Sequence, residues 1–153
     1  MRDAPPALGP RAEVALIYWQ GLRRGRKMPA RADLDPTAIP KLLPGVILVD
    51  VLSDPLDFRY RLIGSDIDAI SPRSFRGVRF SEVLHMCRGN RLWAQYQEAV
   101  ESGRPLWSEV PYVGADPFIH RIRHCLMPLG ADGKTVDMVF AVIDIERIAV
   151  AAA

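Results

Sequence analysis

Cysteine, excess charge and long hydrophobic runs are all scarce in this 153-residue sequence. Its two cysteines, Cys87 and Cys125, form no CxxC motif and no Cys/His cluster with metal-site spacing, which favours free thiols in a reducing compartment. The formal net charge of +2 is too small to make the whole domain bind nucleic acid. No apolar run approaches the ~20 residues of a membrane span, and MRDAPPALGP, at the start, lacks the apolar core of a signal peptide. We therefore expect a cytoplasmic protein with no membrane span and no nucleic-acid partner.

What the sequence does contain fits one globular domain. Hydrophobic residues make up 49% and charged residues 25%, which are ordinary values for such a domain. A chain of this length buries roughly 70% of the surface that it exposes when unfolded, enough for one core. We expect a flexible start at 1–10, a helix and proline-rich cap at 11–44, the main domain at 45–146 and a tail at 147–153.

The first helix is predicted from Arg11 to Leu22, with Pro10 at its start, where a missing backbone N–H costs no hydrogen bond. The basic stretch GLRRGRKMPAR follows at 21–31, and its cations complement the negative end of the helix dipole. We interpret the stretch as the charged end of a cap helix; binding of an anionic partner is the alternative. Apolar residues spaced by three and four predict the buried face of the helix, which comprises Val14, Ile17, Tyr18, Gly21 and Leu22, widened by Ala15 and Trp19.

The remaining pattern predicts strands at both ends of the main domain and helices between them. VILVDVL and DFRYRLIG flank a turn and predict a hairpin, with Phe58, Tyr60 and Leu62 on one side of the second strand. Short helical segments follow, then the longest internal helix, NRLWAQYQEAVESG, and three strand-like runs, LWSEVPYV, FIHRIRHCLMPL and TVDMVFAVIDI. Neither set of strands is stable alone. The order therefore predicts an α+β fold: a five-stranded antiparallel sheet with helices inserted between strands two and three, plus N-terminal cap helices.

Three stretches carry a family resemblance: MPARADLDPTAIPKLLPGVILVD at 28–50, FRYRLIGSDI at 58–67 and CLMPLGADGKTVDMVFAVI at 125–143. With them, the sequence resembles the PAS superfamily of sensor domains, and most closely a bacterial family of short single-domain PAS-like proteins. The resemblance covers about 17–145 and implies a sensory or protein-interaction module. It implies that a small molecule binds between the sheet and the inserted helices, or that no ligand binds and the domain pairs with a partner. It brings no catalytic residues to carry over.

Aromatic side chains with polar tips are suited to orient a ligand in the cavity that this resemblance implies. Trp93 and Tyr96 lie on the predicted internal helix, which would form one wall of that cavity. If Asp137 points outward, the last strand presents Met138, Phe140 and Val142 to the cavity and turns Val139, Ala141 and Ile143 outward. The same side chains are equally able to fill a core that holds no ligand. The predicted ligand-binding residues are Tyr60, Trp93, Tyr96, His124, Met138 and Phe140.

No metal or cofactor is predicted. His120 and His124 are four residues apart, but on a strand this spacing separates them by about 13 Å, too far for one metal ion. The resemblance implies that haem binding would use a histidine of the long internal helix, which has none; His85 only precedes it. The sequence around Cys87 also does not match the reactive-cysteine phrase of flavin-binding light sensors.

These observations predict a stand-alone, non-enzymatic sensory module that binds a small, partly apolar ligand, a signalling partner protein, or both. We expect no output domain of its own, and a homodimer through the N-terminal helix and the outer sheet face. One alternative is a ligand-free dimerisation module. The other is a small α+β enzyme with a cone-like cavity, which needs an acid/base pair there; Asp66 and Asp68 are expected to be exposed.

Overall fold

The computed structural model describes residues 7–112 and 114–148, so the predicted flexible start and tail fall largely outside the described residues. The α-helices within these ranges are Pro10–Leu22 (α1), Ser65–Ile70 (α2) and Arg91–Ser102 (α3). The strands are Val46–Leu52 (β1), Asp57–Ile63 (β2), Leu106–Val110 (β3), Ile119–Leu129 (β4) and Met138–Arg147 (β5). Short 3-10 turns lie at Arg31–Asp33, Pro36–Ala38, Leu43–Gly45 and Phe80–Glu82. Across the described ranges, none of the helices has both the length and the apolar character to cross a membrane.

The five strands form one antiparallel sheet in the order β2-β1-β5-β4-β3. The central pairing of β1 with β5 joins the first hairpin to the last three strands. Helices α2 and α3 lie between β2 and β3 along the chain. The predicted α+β fold is therefore confirmed. Its central strand β5 is buried over most of its length because helices or loops cover both faces of the sheet.

The two faces of β5 are opposite to those predicted. Asp144 accepts hydrogen bonds from the backbone N–H groups of Arg11 at 2.9 Å and Ala12 at 3.1 Å, so it points toward α1. Side chains alternate along a strand, so Met138 and Phe140 share this outer face. Ile143 faces the other side, the inner face, beneath the inserted segment 64–105. The prediction that Met138 and Phe140 face the cavity is wrong, because β5 is apolar on both faces and its pattern does not distinguish them.

A β-bulge changes the face of Leu62. Val49 pairs with Tyr60, but the preceding Leu48 pairs with Leu62, so the register shifts by one residue. Tyr60 therefore keeps the inner face, whereas Leu62 turns outward and is 40% exposed. The predicted row of Phe58, Tyr60 and Leu62 is wrong at its last member because an alternation pattern does not reveal a bulge.

Helix α1 packs on the outer face through small side chains and one tryptophan. Ala12, Ala15 and Trp19 are buried, whereas Val14 and Ile17 are 55% and 71% exposed. The Trp19 indole Nε1 donates to the backbone oxygen of Pro128 at 2.8 Å and fixes the helix to β4. The predicted buried face is therefore confirmed at Ala15 and Trp19 and wrong at Val14 and Ile17, because alanines allow the helix a closer approach to the sheet than larger aliphatic side chains.

The basic stretch follows the end of α1, and Arg26 stabilises that end. Arg26 donates from Nε to the backbone oxygen of Arg23 at 2.9 Å and from Nη2 to that of Leu22 at 2.8 Å. The same guanidinium pairs with Asp33 at 2.8 Å. These contacts satisfy terminal helix carbonyls and confirm that the stretch is the charged end of the cap helix. Arg24, Lys27 and Arg31 remain exposed, and anion binding by them stays a prediction.

Candidate functional site

A cavity of about 590 Å³ lies between the inner face of the sheet and the inserted segment. This volume falls within the ~300–1,000 Å³ typical of small-molecule sites. Most of the wall is aliphatic, which favours apolar molecules. The sheet contributes Ile47, Ile63, Ile122 and Ile143, and the inserted segment contributes Ile67, Ile70, Val83, Met86 and Leu92.

Two regular elements bring the aromatic side chains of the site together. Helix α3 is amphipathic and buries Leu92, Trp93, Tyr96 and Ala99 against the sheet. The helix ends at Gly103, whose φ of 64° is a left-handed conformation that glycine adopts without strain. Strand β2 presents Tyr60 from the opposite side. The fully buried ring of Phe80 lies between the two tyrosines, with centroids 4.7 Å from Tyr60 and 4.9 Å from Tyr96.

The hydroxyls of Tyr60 and Tyr96 are polar groups of the cavity wall without a protein partner. Both residues line the cavity, and they are only 8% and 3% exposed. Neither hydroxyl forms a hydrogen bond to any residue of 7–112 or 114–148. Burial raises the pKa of both phenols, and proximity to Tyr60 adds to the rise at Tyr96, so both stay protonated. Neither hydroxyl oxygen is among the fully buried unpaired atoms, so both keep access to the cavity and can hydrogen-bond to a molecule within it.

His124 is a third polar group of the wall, and two neighbours hold its ring. Its Nε2 lies 2.7 Å from Oε1 of Gln95 on α3 and 3.0 Å from Oγ of Ser108 on β3. Since an amide carbonyl oxygen only accepts, Nε2 carries the proton and Nδ1 keeps a lone pair. Burial, with a smaller contribution from the charge of Arg91, lowers the pKa of His124 to about 4. The ring is therefore neutral near pH 7.

A serine hydroxyl beside a histidine nitrogen is also the beginning of a nucleophilic site. Here Gln95 occupies the same nitrogen as Ser108, and no described side chain hydrogen-bonds to Nδ1 to orient the ring as a base. Ser108 is not part of the cavity wall. The arrangement fixes the imidazole rather than activating the serine.

Formal charge in the cavity wall is confined to its mouth. Among the described wall residues, Arg73 and Glu82 are the charged ones, and both are exposed. The Arg73 guanidinium lies over the ring of Phe75, 4.9 Å from its centroid. His85, half-buried, also lines this region, and burial lowers its pKa. The interior is thus neutral while its entrance carries both signs of charge.

The cavity brings together three of the six predicted ligand-binding residues, namely Tyr60, Tyr96 and His124. Trp93 lies outside the wall and packs edge-on against Phe58, with ring centroids 5.0 Å apart. Its buried Nε1 has no hydrogen-bond partner in the described part of the chain. Met138 and Phe140 contribute to the opposite face of the sheet, as described above. Ligand binding by any of the six stays a prediction.

Sequence reasoning missed several residues of the cavity wall, and also Gln95, which holds His124 from behind the wall. Ile67 and Ile70 are three apart in SDIDAI, so their helical spacing was a usable signal for one face of α2. Ile143 was assigned to the wrong face. Gln95 carries no signal in the sequence, because a glutamine on a helix is most often solvated.

The other side chains considered for chemistry lie apart. His120 is exposed while His124 is buried, and no group of three or more His, Cys, Asp or Glu in the described ranges is placed to hold a metal ion. Cys125 is fully buried on β4, and burial, followed by the charge of Asp144, raises its pKa to about 12. The half-buried Cys87 contacts the backbone oxygen of Leu84 at 3.2 Å. A thiol with so high a pKa stays protonated near pH 7, so Cys125 is not a reactive nucleophile.

Comparison with known proteins adds one finding. A family model described as a PAS domain matches residues 10–143. The matched range runs from the first residue of α1 into β5 and contains every residue of the cavity wall, including Ile143. No curated protein sequence matches the chain.

Proposed function

Because the chain belongs to the PAS domain family, we propose that it is a sensory module whose cavity binds a small, mostly apolar molecule. Family membership suggests a sensory or interaction role. Ligand binding is the finer proposal, and the observation that carries it is a pair of hydroxyls without a described partner, on the buried side chains of Tyr60 and Tyr96, at a cavity of about 590 Å³. A domain that served contact alone would gain stability by filling this space with its own side chains.

The enzyme alternative receives less support. It needs an acid/base pair inside the cavity, and the described wall holds one carboxylate, Glu82, at the exposed mouth. His85 and His124 both line the cavity, but burial keeps His124 neutral, and Gln95 and Ser108 both occupy its Nε2. The wall is better suited to holding a molecule than to transferring its protons.

Filling the cavity tests ligand binding. In the variant Ile67→Phe, a larger ring on α2 enters the wall, and we expect the affinity for an apolar fluorescent probe such as Nile red to fall about tenfold or more, equivalent to about 1.4 kcal/mol. Leu62→Phe on β2 is the matched control, because Leu62 is 40% exposed on the opposite face of the sheet. Equal probe affinity in the two variants would contradict the proposal. Native mass spectrometry of the purified protein beside a denatured sample then reports any retained molecule.

We also propose that the protein forms a homodimer and passes its signal to a partner protein. The outer sheet face is covered by α1 of the same chain, so the surface left for a second subunit is the outside of α1. There Val14 and Ile17 are exposed, and Gly21 follows four residues later with open space around it. This row at helical spacing suits close approach of a second helix.

Replacing one residue of this row tests the dimer. Ile17→Asp places a charge in the proposed interface, so we expect a dimer of the parent protein to dissociate into monomers. The melting temperature of the folded monomer should change little, because Ile17 is exposed. Size-exclusion chromatography with light scattering measures the mass, and Thr37→Asp, at another exposed position, is the control. A parent protein that is monomeric at high concentration would refute this part of the proposal.

A further inference from the structure

The polar groups inside the cavity are all neutral and all able to hydrogen-bond. Tyr60 and Tyr96 each offer a hydroxyl that donates one hydrogen bond and accepts others, and His124 offers the lone pair of Nδ1. The tyrosines are more than nine-tenths buried, and their hydroxyls have no partner among residues 7–112 and 114–148. The charged wall residues, Arg73 and Glu82, are confined to the exposed mouth. A ligand that reaches the interior therefore meets hydroxyls and an imidazole, but no ion.

These neutral groups occupy one region of the wall. The Phe80 ring lies between Tyr60 and Tyr96 and contacts both. Tyr96 lies edge-on to His124, with ring centroids 6.4 Å apart. The phenols are near enough that a charge on Tyr60 raises the pKa of Tyr96. Much of the remaining wall is aliphatic. Its isoleucines are Ile47, Ile63, Ile67, Ile70, Ile122 and Ile143.

The interior disfavours both signs of charge. A buried carboxylate or ammonium without a counter-ion loses far more solvation than a hydroxyl or carbonyl group does. Two wall residues show this effect for opposite charges. Burial is the main cause that raises the pKa of Tyr96, whose charged form is an anion, and lowers the pKa of His124, whose charged form is a cation; Tyr60 and Arg91 add smaller contributions. An ionised ligand group would meet the same penalty at the same place.

Resting on the proposed function, we infer that the cavity selects an uncharged, mostly aliphatic molecule whose polar end is a hydroxyl or carbonyl oxygen seated at Tyr60 and Tyr96. A fatty acid in its ionised form and an alkyl ammonium ion are disfavoured. An alcohol or ketone gives each tyrosine hydroxyl a partner, while its hydrocarbon body covers the isoleucines. The tyrosines are thus specificity-determining residues, and the isoleucines set only the apolar character.

Three probes of equal chain length test the inference: decanol, decanoate and decylamine. At about pH 8 the acid is an anion and the amine a cation, whereas the alcohol is neutral. Each is titrated below its micelle-forming concentration against full-length protein carrying diphenylhexatriene, a fluorescent hydrocarbon with no polar atom. We expect decanol to displace this reporter at a concentration at least about tenfold lower than either ion. Lowering the pH toward about 4.5, where decanoate is partly protonated, should reduce the difference between the concentrations of acid and alcohol that displace the reporter.

Two variants identify the groups responsible. The double variant Tyr60→Phe, Tyr96→Phe should weaken decanol binding about tenfold while leaving the affinity for diphenylhexatriene unchanged, because the hydrocarbon makes no hydrogen bond. Tyr18→Phe, on α1 and away from the cavity, is the matched control and should leave decanol binding unchanged. Arg73→Ala tests whether the polar end of the ligand lies at the charged mouth instead. Unchanged diphenylhexatriene binding also shows that the double variant is folded.

The outcomes distinguish failure of this inference from failure of the ligand binding on which it rests. If decanoate competes as well as decanol, or if Arg73→Ala weakens binding, the ligand's polar end lies at the charged mouth and the inference is overturned. An unchanged decanol affinity in the double tyrosine variant overturns it as well. If neither diphenylhexatriene nor any of the three probes binds, the proposed function itself fails.

Discussion

The two faces of the sheet are covered in contrasting ways. On the outer face, α1 lies close to the strands, and its buried polar atoms are paired: Trp19 bonds to Pro128, and Asp144 bonds to the first turn of the helix. On the inner face, the inserted segment leaves a cavity of about 590 Å³ and two tyrosine hydroxyls without a described partner. The outer face is therefore closed by its own hydrogen bonds, whereas the inner face keeps hydrogen-bonding groups free for the ligand that we propose.

The covering elements explain the contrast. Helix α1 has 13 residues and brings alanines against the sheet, so its fit is continuous. The inner face is covered by α2, which has 6 residues, by a 3-10 turn at Phe80–Glu82 and by the later helix α3. Short elements joined by loops cannot follow a twisted sheet along its whole length, and a space remains beneath them.

The largest effect is expected from breaking the outer face. Trp19→Ala removes a fully buried ring and its hydrogen bond, so we expect a loss of about 3–5 kcal/mol in the free energy of unfolding. Trp19→Phe keeps most of the volume and should lose less. Urea denaturation measures both variants. A loss below about 1 kcal/mol for Trp19→Ala would mean that α1 contributes little to the fold.

The second largest effect is expected from acidification, which should lower the free energy of unfolding through His124 on the inner face. The pKa of His124 is about 4 in the folded protein against an ordinary value of 6.5, so below the latter the unfolded chain binds the extra proton. The stability that the neutral ring provides is present above about pH 6.5 and is lost as the pH falls toward 4. The loss is on the order of 3 kcal/mol.

Thermal unfolding across this pH range measures the effect, with His124→Gln as the control because glutamine does not titrate. Carboxylates that titrate lower in the range act on both proteins alike, so the difference between the two curves isolates the imidazole. Parallel curves would show that protonation of His124 is not linked to folding.

The smallest effect on stability is expected inside the cavity. Tyr96→Phe removes a hydroxyl with no described partner, so the free energy of unfolding should change by no more than about 0.5 kcal/mol. Ser81→Ala is the matched opposite, because the Ser81 hydroxyl donates to buried Asp57 at 2.6 Å. Loss of the Ser81 hydroxyl should lower the free energy of unfolding by about 1–3 kcal/mol, because the Asp57 carboxylate loses a hydrogen-bond donor. Equal costs for the two variants would show that the paired and the unpaired hydroxyl contribute alike to stability.

The elements that the sequence predicted well are those with one unambiguous face. Helix α3 is strongly amphipathic, and Tyr96 lies where its pattern places it. Strand β2 begins with a clean alternation, which correctly put Phe58 and Tyr60 inside. Five strands in antiparallel order followed from their number, their turns and the need to form one sheet.

Prediction failed where local patterns carried no directional information. Strand β5 is apolar on both faces, so Met138 and Phe140 were assigned to the wrong side. In α1, large aliphatic residues outweighed the alanines in the pattern, yet alanines make the contact. The bulge opposite Leu48 and Val49 depends on pairing between strands, which a single strand does not encode. The cavity itself arises from how short elements sit over the sheet, and no residue pattern specifies that.

The hydrogen bond from the backbone N–H of Arg11 to Asp144 has a consequence for the connectivity of the chain. It spans 133 positions of sequence and only 2.9 Å of space, so the beginning of α1 lies beside the end of β5. The two ends of the described fold therefore lie side by side, which is the arrangement that a circular permutation requires. A gene rearranged to join these ends with a short linker, and to open the exposed turn at Asp132, would encode the same elements in the same places with a different first residue.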